Sequence, residues 1–226
     1  MGGSTTALPR TAAQDMFADP AETRAGRLPD GAATWTRLAD ADDLSAVNAL
    51  HSRCSRQSLT SRYLTGRGRL SAREWRALIS PSAGFSWVTH PADDPGRIIA
   101  VTHVLRTEGT PGLRPAREPG TGAVELALLI DDAWQSRGLG SALARQAVAV
   151  ARQCGHSAVH ALLMADNRPA LALAHALGAV VTPQGSQCTV ELSLTRHART
   201  TTRLPSTATA GAGVGVGVGV RVTSVG

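Results

Sequence analysis

Lysine is absent from all 226 residues, so the 23 basic side chains are all arginines. A Walker-type phosphate loop requires a lysine and is excluded. Aromatic residues make up only 3% of the chain, with Tyr63 the sole tyrosine, so a core must be built from Leu, Val, Ile and Ala. Three cysteines, Cys54, Cys154 and Cys188, stand far apart without Cys-x-x-Cys spacing. Neither a disulfide framework nor a metal site is indicated. No run approaches the ~20 apolar residues of a membrane span, and the opening "MGGSTTALPRTAAQDMF" has no signal-peptide core. A cytoplasmic protein without membrane contact is expected. No basic patch is interleaved with aromatics, which argues against nucleic acid. The net charge of +6 suits an anionic partner.

What is present is a hydrophobic pattern of mixed period. Residues 1–32 show no sustained periodicity and read as a mobile arm. Residues 196–226, ending in alternating Gly and Val, read as a disordered low-complexity tail. One domain over 33–195 remains. Strands are expected at "ATWTRLA", "GFSWVTH", "GRIIAVTHVLR", "AVELALLI" (123–130), "SAVHALLM" (157–164), a short "AVV" and "CTVELSL". Helices are expected at "DLSAVNALHSRC", "RQSLTSRYL", "SAREWRALI" and "RPALALAHAL". Ser71 and Glu74 form a Ser-x-x-Glu capping box. The order of elements indicates a mixed α/β (α+β) domain around one sheet. "AVELALLI" reads as a strand buried on both faces, with Glu125 the exception.

The stretch "WQSRGLGSALARQAVAVARQCG" combines a good helix with a poor start. Leu139, Leu143, Ala147, Val150 and Cys154 form one stripe, and Gly155 sits where a helix ends. Yet the helix begins at Arg137-Gly138-Leu139-Gly140-Ser141 with no strong side-chain cap, Ser136 being the only near candidate. Its first amides lack intrahelical partners and point at the positive end of the helix dipole. Such a turn, following a strand that ends at Ile130, is built to hold an anion. Leu143 occupies the third glycine place of Gly-x-Gly-x-x-Gly, which disfavours a dinucleotide fold. A pyrophosphate held by backbone amides remains.

Gln135-Ser-Arg-Gly138-Leu-Gly140 resembles the Gln/Arg-x-x-Gly-x-Gly/Ala signature of the GNAT superfamily of acetyl-CoA-dependent N-acetyltransferases. The resemblance covers about residues 34–194. It includes the Glu-bearing strand, Asp131 to Gln135, Asn167 after the next strand and Leu177-Gly178 after the next helix. "CSRQSLTSRYL" is similar to a segment of GNAT domains related to bacterial protein-lysine acetyltransferases. The resemblance implies a central mixed sheet of six to seven strands with about four flanking helices. It implies acetyl-CoA as co-substrate, without a metal. It places the pantetheine arm along Leu128, Leu129 and Ile130, and the pyrophosphate on the amides of Arg137, Gly138, Leu139, Gly140 and Ser141. Gln135 belongs to the same motif and Asn167 to the cofactor contacts, although Asn167 also reads as an N-cap. The arginine side chains of Arg137, Arg145 or Arg168 could meet the phosphates. Glu125, ten residues before Gln135, is the candidate general base, and an apolar strand raises its pKa.

The sequence departs from the family pattern where many relatives carry a tyrosine acid. That place is Ala174, with Ala179 in place of Phe. His175, His103 and His160 read as structural. The implied activity is acetyl transfer to a primary amine on a protein lysine or a small molecule. The alternative is an acyl-CoA-binding module with weak catalysis. A homodimer is one open arrangement.

Overall fold

The structure, a computed structural model, describes residues 22–64, 68–107 and 122–195. The expected tail, residues 1–21 and most of the Pro/Gly loop over 107–122 lie outside them. Eight strands form one sheet: β1 (Arg24–Arg27), β2 (Ala33–Leu38), β3 (Gly84–Pro91), β4 (Ala100–Arg106), β5 (Ala123–Ile130), β6 (Ala158–Met164), β7 (Val180–Gln184) and β8 (Gln187–Ser193). Five helices accompany them: α1 (Leu44–Arg53), α2 (Arg56–Tyr63), α3 (Ala72–Ile79), α4 (Leu139–Gln153) and α5 (Arg168–Ala176). The spatial order is β1-β2-β3-β4-β5-β6-β8-β7. Neighbours are antiparallel except β5 and β6, which are parallel.

The sheet has eight strands where six to seven are expected, and the five helices are those read along the sequence. The added strand is β1, which falls within the expected N-terminal arm of residues 1–32. It pairs with β2 from Arg24↔Thr36 to Arg27↔Ala33. An edge strand held by backbone pairing with little burial shows no apolar alternation, so periodicity does not reveal it. The chain then runs through Leu28, only 5% exposed, into a cluster with Ile99, Leu139 and Leu143.

Alternate residues of the strands serve two cores. On one face Val88, Val101 and Leu129 pack against Val47 and Leu50 of α1, Leu59 of α2 and Trp75 of α3. On the other, Trp87, Val104, Val124 and Val159 pack against Ala147, Val148, Val150 and Ala151 of α4. The stripe read from the sequence is the buried face of α4, with Cys154 half-buried at its end. Gly155 adopts φ 79° after it. The Ser71–Glu74 capping box is present at α3.

The α1–α3 face also holds buried polar groups. His51 Nδ1 lies 2.7 Å from Val47 O, and its Nε2 lies 2.6 Å from the Tyr63 hydroxyl. The Nδ1–H therefore donates to the carbonyl, and Tyr63 donates to Nε2. His103 Nδ1 lies 2.7 Å from Ser86 Oγ, which donates to Leu78 O. Burial is the main force lowering both histidines from their ordinary 6.5, with the nearby positive charge of Arg62 adding to it. The unfolded chain therefore binds protons near pH 6.5 that the native state refuses. Stability falls with pH below that point by up to about 1.4 kcal/mol per pH unit for each histidine. Glu125 titrates the opposite way, so the comparison is best made in Glu125→Gln. Its thermal midpoint is expected to drop steadily from pH 7 to pH 5, and a flat profile would contradict this account.

Candidate active site

The strands β5 and β6 pair only over Ala123↔Ala158, Val124↔Val159 and Glu125↔His160. β5 pairs with β4 from Val124 to Ile130, and β6 pairs with β8 along its whole length. Beyond Glu125 and His160 the two central strands have no register partners in each other. The β6-facing backbone of residues 126–129 is thus left without a strand partner among the described residues. Backbone amides and carbonyls at such a place need partners from elsewhere. The opening is a cleft of about 560 Å³, lined by residues of β5, β6, α2, α5, β8 and the turn before α4. This also explains why "AVELALLI" is only partly buried: one edge of the strand faces a cavity.

At one end of the cleft lies the start of α4. Gly138 is its N-cap, at φ 88°, with no side-chain cap hydrogen bond. Ser136, at φ 57°, is one of two non-glycine residues with positive φ among those described. The first helical backbone bond runs from Ala142 N to Gly138 O at 3.1 Å. The amides of residues 139–141 precede it and have no intrahelical acceptor. The turn is braced from α2. Asp132 accepts from Ser55 N (3.0 Å) and Ser58 Oγ (2.7 Å). Gln135 Nε2 donates to Ser58 Oγ (3.0 Å), Ile130 O (3.1 Å) and Asp132 Oδ1 (3.1 Å). Asp131, 2% exposed, accepts from Arg53 at 2.7 Å and Arg97 at 3.2 Å, fixing the exit of β5.

At the other end stands Glu125, the last β5 residue paired to β6. Desolvation raises its pKa above the usual carboxylate value, and the charge of Arg62 partly offsets that. His160 is its register partner and also lines the cleft. Asn167 lines it too, while its Oδ1 caps α5 by accepting from Ala170 N at 3.2 Å.

Nine of the residues read from the sequence therefore meet in one cleft: Glu125, Leu128, Leu129, Ile130, Gln135, Gly138, Gly140, Ser141 and Asn167. Two do not present their side chains there. Leu139, 2% exposed, is buried with Leu28 and Leu143, leaving only its amide for the turn. The Arg137 side chain turns to the N-terminal segment. Its Nε lies 2.5 Å from Asp30 Oδ2, and its guanidinium stacks 4.2 Å from the Trp134 ring centroid. Arg145 and Arg168 do not line the cleft. The cleft wall also includes residues the sequence does not single out: Ser55, the N-cap of α2, Ser58, Ser61 and Arg62 of α2, and His160. A signal existed for α2. Its sequence RQSLTSRY is polar nearly all round and buries only Leu59. A short polar helix without an apolar stripe has some other use for its faces.

An uncapped helix start, an unpaired strand edge and a partly buried carboxylate thus meet in one cleft. The model of the acetyltransferase (GNAT) family matches residues 48–179, and the chain belongs to that family. Its members carry out acetyl-CoA-dependent acyl transfer. The GNAT domain of S. lividans PAT is 23% identical, with 76% of this chain and 96% of that one covered and a TM-score of 0.66. YncA from Salmonella typhimurium, solved with its cofactor acetyl-CoA, is 20% identical over 73% of this chain and 96% of that one, with a TM-score of 0.57. At these identities the likeness is one of fold. No curated protein matches the sequence. Among the described residues no helix is long and apolar enough to cross a membrane, and no group of three or more His, Cys, Asp or Glu could hold a metal ion.

Proposed function

We propose that the protein transfers an acetyl group from acetyl-CoA directly to a primary amine, on a protein lysine or a small molecule. The observation that carries this reading is the parting of β5 from β6 at Glu125. It sets a partly buried carboxylate at one end of a cleft whose other end is an uncapped helix start.

The residues present fit acetyl-CoA. The amides of residues 137–141 suit a pyrophosphate, because the helix start adds partial positive charge and no side chain competes for them. The open β5 edge at Leu128–Ile130 suits an extended, amide-bearing arm in the manner of an added strand. When bound, acetyl-CoA supplies an activated thioester. Glu125 then serves as general base, accepting the proton released as the amine nitrogen bonds to the acetyl carbon. Its raised pKa brings it closer to neutral pH, where a base works best. As the C–S bond breaks, the thiolate takes its proton from solvent. Ala174, 6% exposed, lines the cleft where relatives place a tyrosine and offers no acid.

That alanine is also what favours a second reading, a module that binds acyl-CoA and turns over little. Thiol release from acetyl-CoA, measured with and without a panel of amines, separates the two. Transfer requires release that depends on an amine. Tight CoA binding without amine-dependent release supports the binding module.

A further inference from the structure

Arg62 is the one arginine on the cleft wall among the described residues. It lies four residues after Ser58 on one face of α2, and both residues line the cleft. Among the described residues no carboxylate pairs with it. Its guanidinium stacks on the Tyr63 ring, whose centroid lies 4.7 Å from the guanidinium carbon. Tyr63 is in turn held by its hydroxyl to His51 Nε2, itself anchored on Val47 O. The ring is therefore a fixed platform for the guanidinium, and Arg62 and Glu125 line the same cleft.

Four other arginines of the fold have acidic partners. Arg37 has Asp43, Arg53 and Arg97 have Asp131, and Arg137 has Asp30. A guanidinium in a half-enclosed cleft, stacked on a ring and in no salt bridge among the described residues, is arranged to take a carboxylate from a ligand. We propose that the acceptor is a small amine carrying a carboxylate close to its nitrogen, such as a free α-amino acid. Arg62 binds the carboxylate while Glu125 receives the amine. This rests on the acetyl-transfer reading above and narrows its acceptor. Arg62 is a specificity-determining residue and takes no part in the bond changes.

The test uses matched acceptors with the full-length protein and acetyl-CoA: leucine, leucinamide, isoamylamine and a lysine-containing peptide rich in Asp and Glu. Amine-dependent thiol release is measured for each, and binding of each to the CoA-saturated protein is followed calorimetrically. Leucine is expected to exceed leucinamide and isoamylamine by about 10- to 100-fold in kcat/KM, the worth of a charge-assisted hydrogen bond. In Arg62→Gln that ratio should fall towards one, mainly through KM for leucine. Arg62→Lys should restore part of it. Equal use of leucine and isoamylamine, or equal losses for all acceptors in Arg62→Gln, overturns the proposal but leaves acetyl transfer standing. Preference for the peptide over leucine also overturns it, in favour of a protein lysine flanked by acids. Leucine binding that needs Arg62, without turnover of any amine, upholds the carboxylate site and overturns the transfer reading. Neither binding nor turnover overturns both.

Discussion

Gly138→Asp is expected to abolish measurable CoA binding, a loss of at least about 100-fold in affinity. Three effects act together. Gly138 sits at φ 88°, where a side chain is strained by about 1–3 kcal/mol. A Cβ there would also lie 3.0 Å from Cδ and 3.1 Å from Cγ of Pro29, a rigid ring that cannot rotate aside. The new carboxylate, moreover, stands at the start of α4 where a pyrophosphate is to bind, so like charges meet. Gly138→Ala separates the terms, since it carries the strain and the Pro29 contact without the charge. Calorimetric titration with CoA should rank wild type above Gly138→Ala, and Gly138→Ala above Gly138→Asp. CoA binding by Gly138→Asp at wild-type strength would place the cofactor elsewhere.

Glu125→Gln is expected to lower kcat by about 10²- to 10⁴-fold, the usual contribution of a positioned general base. Affinity for acetyl-CoA should be retained, because the amides and the β5 edge are untouched. The pH dependence has a definite sign. Burial raises the Glu125 pKa above its ordinary 4.5, so the charged form is disfavoured in the folded state. Ionised Glu125 therefore lowers stability, and that penalty is fully present above the folded pKa and absent below about 4.5. Removing the charge should leave the thermal midpoint at pH 8 equal to or above that of wild type. Wild-type activity should rise with pH as Glu125 loses its proton, and this limb should vanish in Glu125→Gln. Unchanged activity in a well-folded Glu125→Gln protein would remove Glu125 from the chemistry.

Much of this site was legible in the sequence, because its parts are local. A strand, a glycine-broken turn and a helix follow one another within thirty residues, and a missing side-chain cap is visible without a structure. The two glycines, however, have different reasons. Gly138 supplies a left-handed backbone. Gly140 supplies space, since a Cβ there would meet Ile130 Cδ1 at 3.3 Å. The sequence pattern does not separate conformation from close packing. Non-local facts were beyond it. That Arg137 would be drawn to Asp30, 107 residues away, follows from β1 and its loop lying over the turn, and β1 lacks any periodic signature. Likewise, α2 forms a wall of the cleft only because the sheet brings Ser58 beside Gln135. The polar sequence of α2 showed that it was no core helix without showing what its faces were for.

The measurement closest to the central claim is a mass balance on a single reaction. The protein is mixed with acetyl-CoA and an amine acceptor, and the products and the intact protein are weighed by mass spectrometry. Direct transfer in this cleft requires one acetylated amine for each CoA thiol released, with no acetyl group on the protein. Thiol release without acetylated amine, or an acetyl group on the protein that passes later to the amine, would contradict it.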